Sequence, residues 1–161
     1  MRGGRIRMSS EFDIARLIHK GGVYDNVEGD TPEGVYRNIS TMIPLPAYTT
    51  AESVYDALTA RERVLSTAVG NGIALPHARA PIMKSEDEQQ VCIIYLKNPI
   101  DMKAPDERRV FVMFVLLTFN SQSHLRILSS LVTLFRKPQF RKLLEKHAGE
   151  AELLNAIREL D

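Results

Sequence analysis

The sequence predicts an α/β fold in which helices cover both faces of a central mixed β-sheet of about five strands. Two runs, residues 91–96 and 110–117, consist almost entirely of apolar residues, many of them β-branched or aromatic. Such near-continuous runs are typical of strands that are covered on both faces. Segments with helical spacing of apolar residues come before and after the two runs, and this order indicates a layered α/β domain.

The chain length and composition are those of a globular domain. With 161 residues, 44% hydrophobic and 25% charged, the chain has about one domain's worth of sequence. We expect residues 9–161 to form a single domain. Residues 1–8 are basic and glycine-rich, and we interpret them as a disordered tip, with Met8 as a candidate for the true start.

Charge and cysteine content exclude several classes of function. The chain has 21 basic and 20 acidic residues and no sustained basic block, so nothing indicates binding to nucleic acid or to a membrane surface. Its longest apolar run, residues 110–117, is far shorter than the roughly 20 residues that cross a bilayer. Cys92 is the only cysteine and falls within a predicted buried strand, so we interpret it as structural. No secretory signal pattern is present, and we expect a cytoplasmic protein.

Several helix starts can be predicted, because each has a side chain that can accept a hydrogen bond from the first turn. They are Ser9 or Ser10, Thr31 before Pro32, and Thr49 with Glu52 as its capping box. Between the first two helices, residues 21–30 are predicted to form a loop with room for a short edge strand.

The third helix carries an arginine on its apolar stripe. Val54, Ala57 and Leu58 form the stripe, and Arg61 follows Val54 by seven residues. One interpretation is that Arg61 closes the last turn, complements the helix dipole and reaches water. The other is that its guanidinium binds an anion with two parallel hydrogen bonds.

A tight turn and a short strand lead to a histidine. Gly70-Asn71-Gly72 lies between apolar residues, and Asn-Gly readily adopts the positive φ angles of hairpin turns. Pro76 biases the residue before it to an extended conformation. We therefore expect His77 to be held at the end of a stiff strand.

The last third of the sequence is predicted to be helical. A helix opens near Ser121 with His124 in its first turn, and Pro138 ends it. Two shorter helices, broken at Gly149, follow. The N-terminus of the helix that opens near Ser121 favours a bound anion.

Three side chains are candidates for a shared site. His77, His124 and Arg61 all lie at ends of predicted elements, where α/β sheets usually place their sites. Together they suggest an anion pocket, and the residues alone leave open phosphate chemistry, a carboxylate-binding site or a simple hydrolase. No carboxylate has suitable spacing to complete a metal site. His19 and His147 lie at helix ends beside lysines, and we interpret both as solvated.

Two stretches resemble a known family. The string R-E-R-V-L-S-T-A-V-G-N-G-I-A-L-P-H, residues 61–77, closely resembles the active-site segment of type 2 enzyme IIA domains. The string S-H-L-R-I-L, residues 123–128, resembles their second histidine segment. These domains are the fructose/mannitol-type components of the bacterial phosphoenolpyruvate-dependent phosphotransferase system, and they include the nitrogen-regulatory IIA proteins. The resemblance covers about residues 10–160.

The resemblance implies a role for each matching residue. His77 matches the histidine that becomes phosphorylated, His124 the second active-site histidine, and Arg61 the arginine that contacts the phosphoryl group. It also implies phosphate-binding or supporting roles for Ser66, Thr67 and Ser123. The implied donor is a phosphorylated HPr-like carrier protein, and neither a metal nor another cofactor is required. Residues 78–81, A-R-A-P, depart from many relatives, which have glycine directly after the histidine.

Two functions follow from the resemblance. The chain shows no membrane segment and no phosphocysteine motif of a IIB domain, so we expect a stand-alone IIA unit. We favour a nitrogen-regulatory protein that acts on its partners through its phosphorylation state. The alternative is a sugar-transport component that passes the phosphoryl group to a separate IIB and permease. A hydrolase would need a general acid and a positioned water, and the sequence nominates neither.

Overall fold

The fold is built on one five-stranded mixed sheet, as a computed structural model shows for residues 13–160. The strands of this part of the chain are β1 (Val23–Val27), β2 (Ala68–Gly70), β3 (Ile73–Ala74), β4 (Gln90–Ile100) and β5 (Val110–Leu117). The helices are α1 (Ile14–Gly21), α2 (Pro32–Ser40), α3 (Ala51–Val64), α4 (Ser121–Phe135), α5 (Pro138–Glu145) and α6 (Glu150–Leu160), with a 3₁₀ turn at Glu86–Glu88.

The strand order is β1-β4-β5-β3-β2. The two predicted apolar runs form the central antiparallel pair β4–β5. Strand β1 pairs parallel with β4 at one edge, which confirms a short edge strand within residues 21–30. Strand β3 pairs parallel with β5 on the other side and antiparallel with β2. The polar stretch after residue 96 begins as a continuation of β4 beyond a register irregularity and contains no separate strand.

Helices pack on both faces of the sheet, as predicted. Along β4 and β5 alternate side chains point to opposite faces, since successive residues of a strand do so. Ile93 and Phe114 belong to a core shared with α1, α4, α5 and α6. Ile94 and Met113 belong to a second core shared with α2 and α3. The sheet is therefore the middle layer of three.

Two predicted helix caps were wrong. Asp13, one residue before α1, accepts the hydrogen bond of the first turn, whereas Ser9 and Ser10 lie outside the described residues. For α3 the cap is Thr50, one residue after the predicted Thr49, and its capping box closes through Ser53. Glu52 does not close it, because it is only the second helical residue after this cap; its carboxylate lies 3.5 Å from Arg37 of α2.

Other predicted boundaries are confirmed. Thr31 caps α2 and accepts a hydrogen bond from Gly34 N, with Pro32 in the first turn. Gly149 lies between α5 and α6. The proposed tip, residues 1–8 with Met8, lies outside the described residues. Within residues 13–160, no helix combines the length and the apolar character that crossing a membrane requires.

Candidate active site

A two-residue hairpin turn starts the segment that carries His77. Asn71 and Gly72 connect β2 to β3 with φ angles of 58° and 78°, the pair of positive values that a type I′ turn requires. The carbonyl of Gly72 accepts a hydrogen bond from Phe111 N at 2.9 Å. The predicted Asn-Gly turn is thus confirmed, and it is tied to the beginning of β5.

The backbone on both sides of Pro76 is also fixed. Leu75 N donates to Thr67 O, and Leu116 N donates to Pro76 O, each at 2.9 Å. These bonds attach the chain to Thr67, the residue before β2, on one side and to β5 on the other. His77 therefore follows a strand end at the carboxyl end of the parallel pair β3–β5, where α/β sheets place their ligands.

The imidazole of His77 has a defined orientation. Its Nδ1 lies 2.8 Å from the carbonyl oxygen of Leu75. A carbonyl can only accept, so Nδ1 carries the proton, and the neutral ring presents its lone pair at Nε2. Burial lowers the pKa of His77, and the charge of Arg61 lowers it further, whereas the hydrogen bond to Leu75 and the charge of Glu62 act in the opposite direction.

His124 lies beside His77. It occupies the first turn of α4, which Asn120 caps by accepting a hydrogen bond from Ser123 N. The two imidazole rings have centroids 4.8 Å apart and planes tilted by 47°. The pKa of His124 is lowered by burial first, and then by His77 and Arg61. Both rings are therefore held toward their neutral forms, the state in which imidazole has a free lone pair.

Arg61 closes the last turn of its helix, as the first interpretation predicts, and it also reaches the cleft. Its guanidinium donates to the carbonyl of Leu65, just beyond the end of α3, which closes the last turn. The same side chain lines the cleft that contains the two histidines. One end of the helix thus holds a cation at the site.

The cleft has a volume of about 360 Å³. Its lining residues come from α3, the segment after β3, the β5–α4 connection and the beginning of α4: Arg61, His77, Ala78, Arg79, Pro81, Thr118, Ser121, His124 and Leu125. Arg79, Thr118 and Ser121 were not predicted as site residues. The first lies in the A-R-A-P departure, and the other two flank the turn between a buried strand and a helix that carries a histidine. These positions in the sequence were the only signals that could have indicated the three residues as part of the site.

Three predicted supporting residues are not among the residues that line the cleft. The Ser66 hydroxyl donates to the carbonyl of Met102. Thr67 is buried, and its hydroxyl donates to Glu62 Oε1 at 2.7 Å. Ser123 lies in the first turn of α4 and is buried. These residues contact the protein around the cleft, and their phosphate-binding or supporting roles stay predictions.

The remaining histidines and the cysteine lie away from the cleft lining. His19 is largely exposed and pairs with Glu150. The solvated interpretation of His147 was wrong, because its ring stacks 4.5 Å from Tyr95 and its Nδ1 lies 2.9 Å from Asp25. Cys92 is buried, and burial raises the pKa of its thiol. Among residues 13–160, no cluster of three or more His, Cys, Asp or Glu could hold a metal ion.

The sequence also matches a known family. Residues 16–160 match the family described as "Phosphoenolpyruvate-dependent sugar phosphotransferase system, EIIA 2". This chain belongs to that family. The prediction of a type 2 IIA phosphocarrier domain is thereby confirmed.

Two relatives represent the two branches that the sequence suggested. A nitrogen regulatory protein of Pseudomonas aeruginosa is 30% identical over 148 residues, which are 89% of this chain and 93% of the relative. The fructose-specific EIIABC component of Bacillus subtilis is 26% identical over 151 residues, 92% of this chain but only 23% of that longer protein.

Solved structures share the fold of this type 2 IIA domain. The nitrogen regulatory protein IIA-Ntr of Neisseria meningitidis superposes with a TM-score of 0.76 at 23% identity, over 89% of this chain and 98% of its own. Enzyme IIAMtl in its complex with phosphorylated enzyme IIBMtl from Escherichia coli superposes with a TM-score of 0.60 at 16% identity, over 93% and 98% of the two chains.

Proposed function

We propose that this chain accepts a phosphoryl group on Nε2 of His77 from a phosphorylated HPr-like carrier protein. The observation that supports this most directly is the hydrogen bond from Nδ1 to Leu75 O, which leaves Nε2 as the free lone pair in a cleft lined by Arg61 and His124. Family membership supports the same chemistry. An HPr-like donor also implies the cytoplasmic location that the sequence predicts.

The proposed reaction is a transfer between two histidines. The lone pair of His77 Nε2 attacks the phosphorus in line, the phosphorus–nitrogen bond of the donor histidine breaks, and its electron pair returns to the donor ring. Nδ1 keeps its proton and its bond to Leu75, so the phosphorylated ring of His77 carries a positive charge. The donor ring, protonated on its other nitrogen, takes back the electron pair and leaves as neutral imidazole, so no general base is needed. Such transfers depend mainly on alignment and on compensation of the charge spread over the phosphoryl oxygens.

The cleft contains three groups that could provide this compensation. The Arg61 guanidinium is a permanent cation. His124, when neutral, has one ring N–H that can donate to a phosphoryl oxygen. The N-terminus of α4 lies at the cleft through Ser121, and a helix N-terminus favours anions.

We further propose that the phosphoryl group acts mainly as a regulatory signal. The similarity to a nitrogen regulatory protein over 93% of its length supports this function. A phosphoryl group adds roughly −1.5 to −2 charges, which is a large change for one small cleft. Regulated target proteins would then bind one state of the cleft in preference to the other.

Sugar transport is the alternative function. The similarity to a fructose-specific EIIABC component supports it, as does the sugar phosphotransferase description of the family. In that case a IIB component would take the phosphoryl group from His77. The two functions differ in a measurable way: a cognate IIB becomes phosphorylated in one, and target affinity changes with phosphorylation in the other.

Intact-mass spectrometry at neutral pH tests the carrier function. The protein is incubated with enzyme I, HPr and phosphoenolpyruvate, alongside His77→Ala and a matched control, His19→Ala, at an exposed histidine away from the cleft lining. We expect one acid-labile phosphoryl group on the wild type and on the control, and none on His77→Ala. A wild type that remains unmodified with both general HPr and a dedicated regulatory carrier would contradict the proposal.

A further inference from the structure

The carboxylate of Glu62 joins three elements behind the cleft. Its Oε1 accepts hydrogen bonds from the Tyr36 hydroxyl at 2.6 Å and from the Thr67 hydroxyl at 2.7 Å, and its Oε2 accepts one from Thr67 N at 2.9 Å. Tyr36 comes from α2 and is fully buried. Burial, and then the charge of Glu62, raise the pKa of Tyr36, so its hydroxyl remains a donor.

These contacts continue to His77 through the backbone. Glu62 holds the N–H and the hydroxyl of Thr67. The carbonyl of Thr67 accepts a hydrogen bond from Leu75 N at 2.9 Å. The carbonyl of Leu75 in turn accepts the Nδ1–H of His77 at 2.8 Å. A continuous series of hydrogen bonds therefore connects Glu62 with the side of the imidazole that faces away from the proposed reaction.

We propose that Glu62 is the positioning residue for His77: by fixing Thr67, it fixes the Leu75 carbonyl that holds the proton on Nδ1 and leaves Nε2 free. This inference rests on the proposed function for its catalytic consequence. It gives Thr67 a role that its buried position allows, since Thr67 acts through its neighbours without touching a phosphoryl group. Removing the carboxylate loosens the register of β2 against the Leu75 backbone, and the ring then samples its other tautomer.

The charge of Glu62 raises the pKa of His77, as does the hydrogen bond to Leu75. It favours the protonated ring of His77 and so partly opposes the effect of burial on the pKa of that histidine. This carboxylate accepts hydrogen bonds from the hydroxyl and the backbone N–H of Thr67 and from the hydroxyl of Tyr36. The charge effect therefore predicts a second change on substitution, a lower pKa of His77.

The substitution Glu62→Gln separates these effects from loss of the fold. An amide has one acceptor oxygen and one donor nitrogen, so whichever way it is oriented, at least one of the three donors loses its partner. The matched control is Glu88→Gln. Glu88 Oε1 accepts the Tyr48 hydroxyl at 2.6 Å and Lys84 N at 3.2 Å, a similar contact outside the series that leads to His77.

Two measurements are made on each variant. Long-range proton–nitrogen correlation spectra of the imidazole rings report the tautomer and the pKa of His77 without phosphorylation. Rapid-mixing assays report the rate of phosphoryl uptake from the carrier. For Glu62→Gln we expect a larger population of the tautomer protonated on Nε2, and uptake slower by about ten-fold, between the effect of one lost hydrogen bond and that of a 1 Å displacement. Glu88→Gln should match the wild type in both.

A second pair of variants keeps the test open if Glu62→Gln does not fold. Thr67→Val removes the hydroxyl donor at nearly constant shape, and Thr67→Ser restores it. We expect the tautomer shift and the slower uptake in the valine variant and recovery of both in the serine variant.

Unchanged His77 ring signals in Glu62→Gln and Thr67→Val would overturn the inference, even if uptake were slower. A wild type that takes up no phosphoryl group would refute the proposed function, while the ring signals would still decide whether Glu62 holds the tautomer.

Discussion

Replacing Gly72 with alanine tests the turn that starts the His77 segment. Gly72 has φ of +78°, and a Cβ there would lie 2.6 Å and 2.7 Å from two ring carbons of Phe111. The left-handed conformation costs an alanine about 1–2 kcal/mol. Displacing the Phe111 ring, which stacks with His147, adds about 1–3 kcal/mol, the usual cost of overpacking. We expect Gly72→Ala to lose about 2–5 kcal/mol of unfolding free energy.

Urea denaturation and thermal unfolding measure this loss. For a chain of this size, each kcal/mol shifts Tm by about 2–4 °C. The matched control is Gly149→Ala, because a Cβ at Gly149 meets no atom within 4 Å, and we expect that change to cost less than about 1 kcal/mol. If the two variants unfolded at the same temperature and urea concentration, the geometry described for the turn would be wrong.

The remaining predictions concern the cleft. Burial lowers the pKa of His77 below its usual value of about 6.5, so the fall in phosphoryl uptake on acidification should be centred below pH 6.5; a fall centred at or above pH 6.5 would contradict this. The pKa of His124 is lowered too, so the unfolded state binds more protons, and unfolding free energy should decrease as pH falls below about 7; a double His77→Asn, His124→Asn variant should flatten that dependence. Arg61→Ala should slow uptake by about 10²-fold and change unfolding free energy by less than about 1.5 kcal/mol. Arg63→Ala, outside the cleft lining, should leave both the uptake rate and the unfolding free energy unchanged. Normal uptake with strong destabilisation would make Arg61 purely structural.

Local signals in the sequence were sufficient for much of the fold. The runs at 91–96 and 110–117 predict β4 and β5 because a strand buried on both faces needs apolar residues at every position. Asn71-Gly72 predicts its turn because few other residues tolerate two successive positive φ angles. Thr31-Pro32 predicts the start of α2 for an equally local reason.

Features that depend on distant residues were not predictable in this way. Thr49 and Thr50 are equally good caps locally, and the contact between Glu52 and Arg37 shows where the glutamate side chain lies instead. His147 contacts Asp25 from 122 positions away. Glu62 is likewise defined by Tyr36 from another helix. Periodicity and capping rules contain no information about such pairs.

The candidate site shows the same division. His77, His124 and Arg61 could be nominated because each lies at the end of a predictable element, and the structure brings all three to one cleft. Arg79 follows His77 in a segment without periodicity, so only the folded chain shows that it lines the cleft. The orientation of the His77 ring also depends on a backbone carbonyl, and side-chain identity does not reveal it.

The proposed transfer places the phosphoryl group on Nε2 of His77. The most direct test is nitrogen and phosphorus NMR of the phosphorylated protein with labelled histidine rings. We predict that Nε2 of His77 is bonded to phosphorus while its Nδ1 remains protonated, with His124 unmodified. A phosphoryl group on Nδ1 of His77, or on His124, would contradict the account.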